Sequence, residues 1–414
     1  MKKKLTRNIS QPRFHVMAKP VGPMCNLNCS YCFYLHKEDL LSTENNWRMS
    51  DEVLEEFIKQ YIQGQDADEI IFSWQGGEPT LCGLDFFKKV AAFERKYMGN
   101  KIVHNDLQTN GTLLDDEWCH FLKHHNFLVG LSIDGPQELH DMHRKTKGGK
   151  PTFDKVMNAA ALLKKHEVLF NALVTLNYDN TRKPLEVYRF IRDEVQPRAI
   201  QFNACVEAKT FKEVAPPYWD SIDFPTLGDE AAHPRTPDSV VYDWSVDPDD
   251  YGSFLCEVFD EWVQNDIGKT YVYNFECAIA QQMGVYGYMC VFGEICGKGL
   301  AIEHDGEIYS CDHFVYPKYH LGNIKEKDLS QAVLSQKQKK FGFDKKYGLP
   351  QYCRECEHLS MCHGECPKNR FIRTPTGEPG LNYLCSGLKE YFSHIEPVTQ
   401  KMAAQAQSGQ AVVG

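Results

Sequence analysis

The sequence predicts an α/β fold in which a partial barrel of six βα units is followed by a small, cysteine-rich domain. From Phe14 to about Ala204, short apolar or β-branched runs alternate with amphipathic helical patterns, as is typical of βα units with parallel strands. From about residue 268 onward, long periodic segments become few and cysteines become dense. Six units favour an open, partial barrel over the closed barrel of eight.

Each element of the barrel is indicated by its own local pattern. The apolar runs predict strands at Phe14–Lys19, Glu69–Gln75, Ile102–Gln108, Phe127–Ile133, Leu169–Leu176 and Ala199–Ala204. Helical periodicity predicts helices at Leu84–Tyr97, Asp115–His124, Thr152–His166, Pro184–Asp193 and Tyr251–Asp266. Between the first two strands, Ser50 is expected to cap a further helix that Gly64 ends.

The same patterns divide the chain into four parts. Residues 1–13 form an N-terminal extension, and residues 14–267 form the barrel, with a proline-rich, irregular insertion at about 207–250 that is expected to run over the surface. Residues 268–397 form the cysteine-rich domain, and residues 398–414 are expected to be a flexible tail. The basic stretch Lys337–Lys346 is interpreted as the solvated face of a helix.

Composition excludes several classes of protein. The net charge of -10 offers no overall attraction for nucleic acid or for an anionic membrane surface. No run of eighteen apolar residues predicts a membrane span, and the residues after Lys2–Lys4 do not form the apolar core of an export signal. Sixteen cysteines without such a signal therefore indicate reduced thiols, metal ligation and a cytoplasmic protein.

The most informative motif is Cys25-x3-Cys29-x2-Cys32, which follows the first predicted strand. Three thiolates can hold three irons of a [4Fe-4S] cluster and leave the fourth iron open to a substrate or cofactor. The alternative is zinc, which normally takes four ligands in a structural site, and no histidine lies inside this loop. The spacing therefore favours a reactive iron-sulfur cluster.

Three further loops are expected beside this one, because the carboxyl ends of parallel strands meet at the same rim of a barrel. They follow the second, third and fourth strands, at Gln75–Pro79, Gln108–Gly111 and Ser132–Pro136. Gly76 and Gly77 would let their backbone approach a ligand closely. Ordinary turns are the alternative interpretation of each loop taken alone.

Eight more cysteines lie in fewer than a hundred residues near the C-terminus. They are spaced Cys290-x5-Cys296-x14-Cys311 and Cys353-x2-Cys356-x5-Cys362-x3-Cys366-x18-Cys385. Two fully ligated [4Fe-4S] clusters would use all eight and would stabilise a domain with little regular core. Zinc ribbons remain the alternative by spacing alone, especially for Cys353–Cys366.

Taken together, these motifs resemble the radical S-adenosylmethionine (SAM) enzymes that carry a SPASM domain. More narrowly, the chain from Phe14 to Pro397 resembles the anaerobic sulfatase-maturating enzymes. The segments that carry the resemblance are Cys25–Tyr34, Gln75–Thr80, Gln108–Leu113, Leu131–Pro136 and the eight-cysteine region. The insertion at 207–250 looks longer than this family usually carries. The resemblance implies SAM and three [4Fe-4S] clusters as cofactors.

The resemblance also assigns residues. The SAM site is expected to use Tyr31, Gly77, Ser132, Arg144 and Val206. The first auxiliary cluster is expected to take Cys290, Cys296, Cys311 and Cys366, and the second Cys353, Cys356, Cys362 and Cys385. Asp312 matches the position of the family's proton acceptor, and burial beside a negatively charged cluster is expected to raise its pKa. Tyr34 and Gln75 are expected to contact the peptide substrate.

The activity that the resemblance implies is the oxygen-independent oxidation of a cysteine or serine in an unfolded or nascent sulfatase to Cα-formylglycine. A 5'-deoxyadenosyl radical would take a hydrogen atom from Cβ, Asp312 would act as the base, and an auxiliary cluster would accept an electron. Reduced ferredoxin or flavodoxin is the expected electron donor. Two alternatives stay open from the sequence, namely another SPASM-type peptide modification such as thioether formation, and a non-catalytic iron-sulfur or zinc scaffold.

Overall fold

The computed structural model describes residues 13–34, 37, 41, 47–210, 223–285 and 289–408. Most of the predicted N-terminal extension, the middle of the predicted insertion at 211–222 and the end of the predicted tail at 409–414 lie outside these residues. The helices of the described part include none that is both long enough and apolar enough to cross a membrane.

One ten-stranded sheet runs through the molecule. Its strands are β1 (His15–Lys19), β2 (Glu69–Trp74), β3 (Ile102–Thr109), β4 (Leu128–Ser132), β5 (Phe170–Leu176), β6 (Ala199–Ala204), β7 (Tyr271–Val272), β8 (Gly299–Glu303), β9 (Glu307–Tyr309) and β10 (His320–Asn323). Strands β1 to β6 are parallel and lie side by side in chain order. The predicted α/β class with six parallel βα units is therefore confirmed.

Helices cover the barrel strands and build most of the second half of the chain. They are α1 (Asp51–Gln63), α2 (Leu84–Tyr97), α3 (Asp116–His124), α4 (Gln137–His143), α5 (Phe153–Lys165), α6 (Pro184–Phe190), α7 (Pro248–Asn265), α8 (Tyr273–Gln282), α9 (Leu329–Leu334), α10 (Gln336–Tyr347), α11 (Gln351–Arg354), α12 (Leu359–Cys362) and α13 (Cys385–Gln407). The Ser50 side chain accepts a hydrogen bond from the Val53 amide, so α1 begins where its capping residue predicts.

The sheet crosses the boundary that the sequence suggested at residue 267. Beyond it, β7 pairs with β6 at one edge, and β8 pairs in parallel with β1 over its full length. The antiparallel strands β9 and β10 then extend the sheet beyond β8. A separate two-stranded sheet joins β11 (Ile372–Arg373) to β12 (Pro379–Leu381). The cysteine-rich half is consequently fixed against the first barrel strand.

Residues 398–407 are helical, which corrects the predicted flexible tail over that range. Helix α13 continues through Pro397, and its Met402 and Ala403 are buried. It packs along α7 so closely that a Cβ atom at Gly387 would lie 1.9 Å from the Pro248 carbonyl oxygen. This long contact surface supplies the stabilisation that the sequence pattern did not show.

Two other surface predictions hold only in part. Within the predicted insertion, Val241 and Val246 are fully buried in the main core, so this segment is not wholly a surface excursion. Within α10, Lys345 is 1% exposed and donates hydrogen bonds to the carbonyls of Cys290 and Val291. The interpretation of Lys337–Lys346 as a solvated face is therefore wrong for Lys345.

Candidate active site

The Cys25–Cys32 loop lies on the carboxyl end of the parallel strands. On one side it is fixed to the loop after β2: the Gly77 amide donates to the Gly22 carbonyl at 2.8 Å, and the Glu78 amide donates to the Met24 carbonyl at 2.9 Å. A Cβ atom at Gly77 would lie 1.9 Å from the Met24 carbonyl oxygen. Position 77 therefore requires glycine so that the two loops can touch.

On its other side the loop is fixed to the end of α4 and the residues that follow it. The Asn28 amide donates to the Lys145 carbonyl at 2.8 Å, and the Ser30 amide donates to the His143 carbonyl at 3.2 Å. The Ser30 hydroxyl also lies 2.7 Å from Nδ1 of the His143 ring. Backbone contacts on both sides thus hold the three cysteines in place.

A buried carboxylate joins the loops that follow β2 and β3. Glu78 accepts hydrogen bonds from the Thr80 amide and hydroxyl, the Thr109 hydroxyl and the Asn110 amide, at 2.6 to 3.0 Å. Burial raises the pKa of this carboxyl group, while the hydrogen bonds oppose the rise. The Asn110 side chain then donates to Asn26 at 2.9 Å, next to Cys25. No role was predicted for Glu78, although its place directly after the Gly76–Gly77 pair was a usable signal.

Cys25, Cys29 and Cys32 are partly buried at the centre of this arrangement. Burial raises the pKa of Cys25 and of Cys29 to about 12, and the negative charges of the neighbouring thiolates add to the rise. Within the described part of the chain, no three cysteine sulfurs lie within 4.8 Å of one another. Sulfurs around one tetrahedral zinc ion lie about 3.8 Å apart for Zn–S bonds of about 2.3 Å. The wider spacing suits a cluster in which each thiolate binds a different iron.

Next to the three cysteines, a buried ion pair between Asp134 and Arg144 links β4 and β5 to the cysteine loop. Asp134 accepts hydrogen bonds from Nε of Arg144 at 2.8 Å, from the Thr175 amide at 3.1 Å and from the Tyr31 hydroxyl. Burial alone would raise the pKa of Asp134, but the Arg144 guanidinium holds it below its ordinary value. Arg144 is only 8% exposed, so Asp134 fixes the orientation of its guanidinium group.

The other residues predicted to bind SAM lie near this group. Ser132 ends β4 and is buried. Val206 lies just beyond the end of β6, is buried, and its carbonyl accepts a hydrogen bond from the Lys368 ammonium. Three of the predicted SAM contacts lie at or just beyond the ends of barrel strands: Gly77 after β2, Ser132 in β4 and Val206 after β6. The fourth, Arg144, directly follows α4.

Among the eight C-terminal cysteines, the structure shows two sets of thiols that influence one another electrostatically. The Cys311 thiol is influenced electrostatically by Cys366, Cys290 and Cys296, and burial raises its pKa well above the ordinary value. The Cys385 thiol is influenced in the same way by Cys362, Cys353 and Cys356. Local spacing alone would not pair Cys311 with Cys366.

The second group lines a small cavity. Its walls include all four predicted ligands, Cys353, Cys356, Cys362 and Cys385. The remaining lining includes Leu359, Leu388 and Phe392, which are suited to shield a metal centre from water. Four thiols around one cavity are the ligand set that a [4Fe-4S] cluster takes.

Asp312 lies next to Cys311 at the edge of the first group. Its carboxylate is 3.5 Å from the ammonium of Lys19, the last residue of β1. Burial raises the pKa of Asp312, but neighbouring groups, the positive charge of Lys19 first among them, outweigh burial and lower it overall. The expected rise in this pKa is therefore wrong in direction, because the sequence does not show that Lys19 lies beside Asp312.

The two predicted peptide contacts differ in their surroundings. Tyr34 is 3% exposed, its hydroxyl donates to the carboxylate of Glu303, and the Lys19 ammonium lies 4.5 Å from its ring centre. Burial raises the pKa of Glu303 to about 7. Gln75 is half-buried and follows β2, where its amide donates to the Ala18 carbonyl at 2.8 Å. Tyr34 thus belongs to a buried group with Lys19, Glu303 and Asp312.

Comparison with protein families finds two matches along this chain. The radical SAM superfamily matches residues 20–191, and the SPASM family, described as an iron-sulfur cluster-binding domain, matches residues 290–357. The first match contains the Cys25–Cys32 loop, and the second contains five of the eight C-terminal cysteines, Cys290, Cys296, Cys311, Cys353 and Cys356.

Comparison with individual proteins gives matches over nearly the whole chain. A serine-type anaerobic sulfatase-maturating enzyme of Bacteroides thetaiotaomicron is 44% identical over 96% of this chain and 93% of its own length. A cysteine-type anaerobic sulfatase-maturating enzyme of Clostridium perfringens is 31% identical over 93% of this chain and 97% of its own length. The solved structure of native anSMEcpe with bound AdoMet and the Cp18Cys peptide superposes with a TM-score of 0.80 at 31% identity, covering 95% of this chain and all of the other.

Proposed function

Because this chain belongs to the anaerobic sulfatase-maturating enzymes, which are radical SAM oxidoreductases with a SPASM domain, we propose that it oxidises a cysteine or serine of a sulfatase peptide to Cα-formylglycine without oxygen. The observation that carries the proposal is the placement of Asp312 beside Cys311, in a buried group that also includes Tyr34. A base and an electron-accepting site are thereby adjacent.

The Cys25, Cys29 and Cys32 thiolates would hold the first [4Fe-4S] cluster, and SAM would bind its open iron. When bound, the cluster and SAM supply the one-electron chemistry that removes a hydrogen atom from Cβ of the substrate. The protein places SAM with Tyr31, Gly77, Ser132, Arg144 and Val206. Arg144 suits the SAM carboxylate because its guanidinium, fixed by Asp134, can offer further N–H groups to an anion.

Asp312 then takes the proton of the substrate thiol or hydroxyl group. Lys19 keeps its carboxylate ionised, so the base is ready to accept a proton when the substrate arrives. Loss of one hydrogen atom, one proton and one electron completes a two-electron oxidation to a thioaldehyde or an aldehyde. Water converts the thioaldehyde to the aldehyde with release of hydrogen sulfide.

The eight C-terminal cysteines would hold two further [4Fe-4S] clusters, three in total, and the electron that remains leaves through the sites that they form. Cys290, Cys296, Cys311 and Cys366 are proposed for the first auxiliary site, and Cys353, Cys356, Cys362 and Cys385 for the second. Two features support this division, the mutual electrostatic influence within each group and the thiol-lined cavity of the second.

The proposed partners follow from the same chemistry. The substrate is an unfolded or nascent sulfatase segment, because an enclosed site at the barrel rim can admit an extended backbone but not a folded domain. Tyr34 and Gln75 are proposed to contact it. Reduced ferredoxin or flavodoxin is proposed as the electron donor, because clusters of low potential need a strong reductant. The cytoplasm is proposed as the location, because it keeps thiols reduced.

The test uses anaerobic, cluster-reconstituted enzyme, SAM and a peptide spanning a sulfatase motif, made in serine and cysteine forms. Mass spectrometry should show a loss of about 2 Da from serine or about 18 Da from cysteine, as two-electron oxidation to an aldehyde requires. The serine form is tested first, since the serine-type relative has the higher identity. SAM cleavage without either mass change would contradict the proposed substrate, while absence of SAM cleavage would contradict the enzyme class.

A further inference from the structure

A turn of three left-handed residues joins the two groups of C-terminal cysteines. Cys362 belongs to the second group and Cys366 to the first, and the three residues between them, His363, Gly364 and Glu365, have φ angles of 47°, 68° and 48°. This conformation is unfavourable for residues other than glycine, so it persists only where surrounding contacts impose it.

One side chain holds this turn. Arg370 donates from Nε to the Gly364 carbonyl at 2.8 Å, and from Nη2 to the carbonyls of His363 at 2.8 Å and Glu365 at 3.3 Å. Its Nη1 group donates to the Lys345 carbonyl. Arg370 is 8% exposed. All three carbonyls of the turn therefore bind a single buried guanidinium, whose planar fork matches them.

The same guanidinium is placed between the two groups of thiols. It interacts electrostatically with Cys353 and Cys362 of the second group and with Cys366 and Cys296 of the first. Two neighbouring lysines each act on the thiols of one group only. The Lys345 ammonium acts on Cys290 and Cys296, and the Lys389 ammonium acts on Cys353, Cys356 and Cys385. Arg370 thus differs from these lysines in acting on both groups.

We propose that Arg370 is a positioning residue shared by the two auxiliary cluster sites: it fixes the turn that sets their separation and places one permanent positive charge beside both. A nearby positive charge stabilises the reduced, more negative form of a cluster and so raises its reduction potential. Arg370 therefore makes both sites better electron acceptors at the same time. This inference rests on the proposed ligation by two auxiliary clusters but not on the proposed substrate.

The test measures potentials rather than activity. In full-length protein whose first site is removed by Cys25→Ala, Cys29→Ala and Cys32→Ala, iron content should correspond to about eight irons per chain, as two [4Fe-4S] clusters require. Redox titration followed by electron paramagnetic resonance should resolve two one-electron steps. In Arg370→Gln, both steps should shift to more negative potential. The control variant Lys389→Met, which removes a charge from the second group only, should shift one step and thereby assign it.

A second variant separates charge from geometry. Arg370→Lys keeps the charge but has one donor nitrogen in place of the planar fork whose three nitrogens reach four carbonyls. Both potentials should therefore stay near those of the parent protein while the temperature of cluster loss falls. A shift of only one step in Arg370→Gln, or equal shifts in the two Arg370 variants, would overturn the proposal. If Arg370→Gln binds fewer than two clusters, loss from both sites supports the shared role and loss from one site refutes it. Iron content, reduction potentials and the temperature of cluster loss do not depend on whether the protein oxidises a sulfatase peptide.

Discussion

The ammonium of Lys19 lies 3.5 Å from the carboxylate of Asp312, and both side chains are largely buried, at 3% and 15% exposure. The two residues come from opposite halves of the chain and meet because β8 pairs with β1. The pair joins the last residue of the first barrel strand to the residue that follows an auxiliary-cluster cysteine. It therefore connects the barrel site to the SPASM domain through a charged contact.

Replacement of Lys19 by Met should uncouple SAM cleavage from product formation. Without the ammonium, the largest influence that opposes burial is lost, so the pKa of Asp312 rises, and the carboxylate loses the contact that orients it. We expect formylglycine formation to fall roughly tenfold or more, as misplacement of a catalytic group does, while 5'-deoxyadenosine formation falls less. The measurement is the ratio of the two products. Lys59→Met, at an exposed ion pair on α1, should leave the ratio unchanged.

Replacement of Asp312 by Asn should abolish most aldehyde formation while SAM cleavage continues. The asparagine keeps the size of the side chain but cannot accept the substrate proton, and loss of a general base typically costs about 10²- to 10⁴-fold. Product yield and 5'-deoxyadenosine are measured in the same anaerobic reaction. Full aldehyde yield from this variant would remove Asp312 from the mechanism.

Sequence patterns located the barrel well because each of its elements is specified locally. Predicted and observed bounds of the six barrel strands agree within one residue at every end, and β6 has the same bounds, Ala199–Ala204. The pairing of β8 with β1 leaves no local signal, so neither the continuous sheet nor the Lys19–Asp312 contact could be read from the sequence. The tail was predicted to be flexible because it lies at the end of the chain, whereas packing on α7 carries α13 through Pro397, a residue type that usually ends a helix.

Among the site residues too, those in local motifs were predicted, and those defined by long-range contacts were not. The cysteines and the glycine-rich loop are contiguous motifs and were identified directly. Asp134, Glu78 and Arg370 are polar residues whose role depends on which distant groups they contact, and their sequence neighbours do not show this. A charged residue at the end of an apolar strand, such as Lys19 at the end of β1, was the one available sign of the buried charged group.

Replacement of Gly77 by Ala should displace the Cys25–Cys32 loop. The new Cβ atom would lie 1.9 Å from the Met24 carbonyl oxygen, and backbone atoms cannot move aside as a flexible side chain can. We expect lower iron content at the first site and little SAM cleavage, with a stability loss of about 1–3 kcal/mol, typical of overpacking. Iron analysis and thermal unfolding measure both effects. Gly299→Ala on β8, where no atom lies within 4 Å of the new Cβ, serves as the control.

Replacement of Asp134 by Asn should weaken SAM binding. The change removes the charge that pairs with Arg144 and leaves that guanidinium buried and free to turn away from the site. We expect the dissociation constant for SAM to rise at least about tenfold, which corresponds to about 1.4 kcal/mol. Equilibrium binding to the reconstituted enzyme provides the measurement. Glu186→Gln, at an exposed ion pair on α6, should bind SAM like the parent protein, and an unchanged affinity in Asp134→Asn would contradict the assigned role of this pair.

Replacement of Glu94 by Gln should remove part of the pH dependence of stability. Burial raises the pKa of this α2 carboxyl group from 4.5 to about 8, against a hydrogen bond from Asn105. The folded chain therefore binds this proton more tightly than the unfolded chain between these values, so the Glu94 contribution is fully favourable below pH 4.5 and is lost as pH rises through about 8. Between pH 5 and pH 8.5, the parent protein should lose roughly 2–4 kcal/mol more unfolding free energy than Glu94→Gln. Denaturant unfolding at both pH values measures the difference, and parallel losses in the two proteins would show that Glu94 is ionised in the folded state.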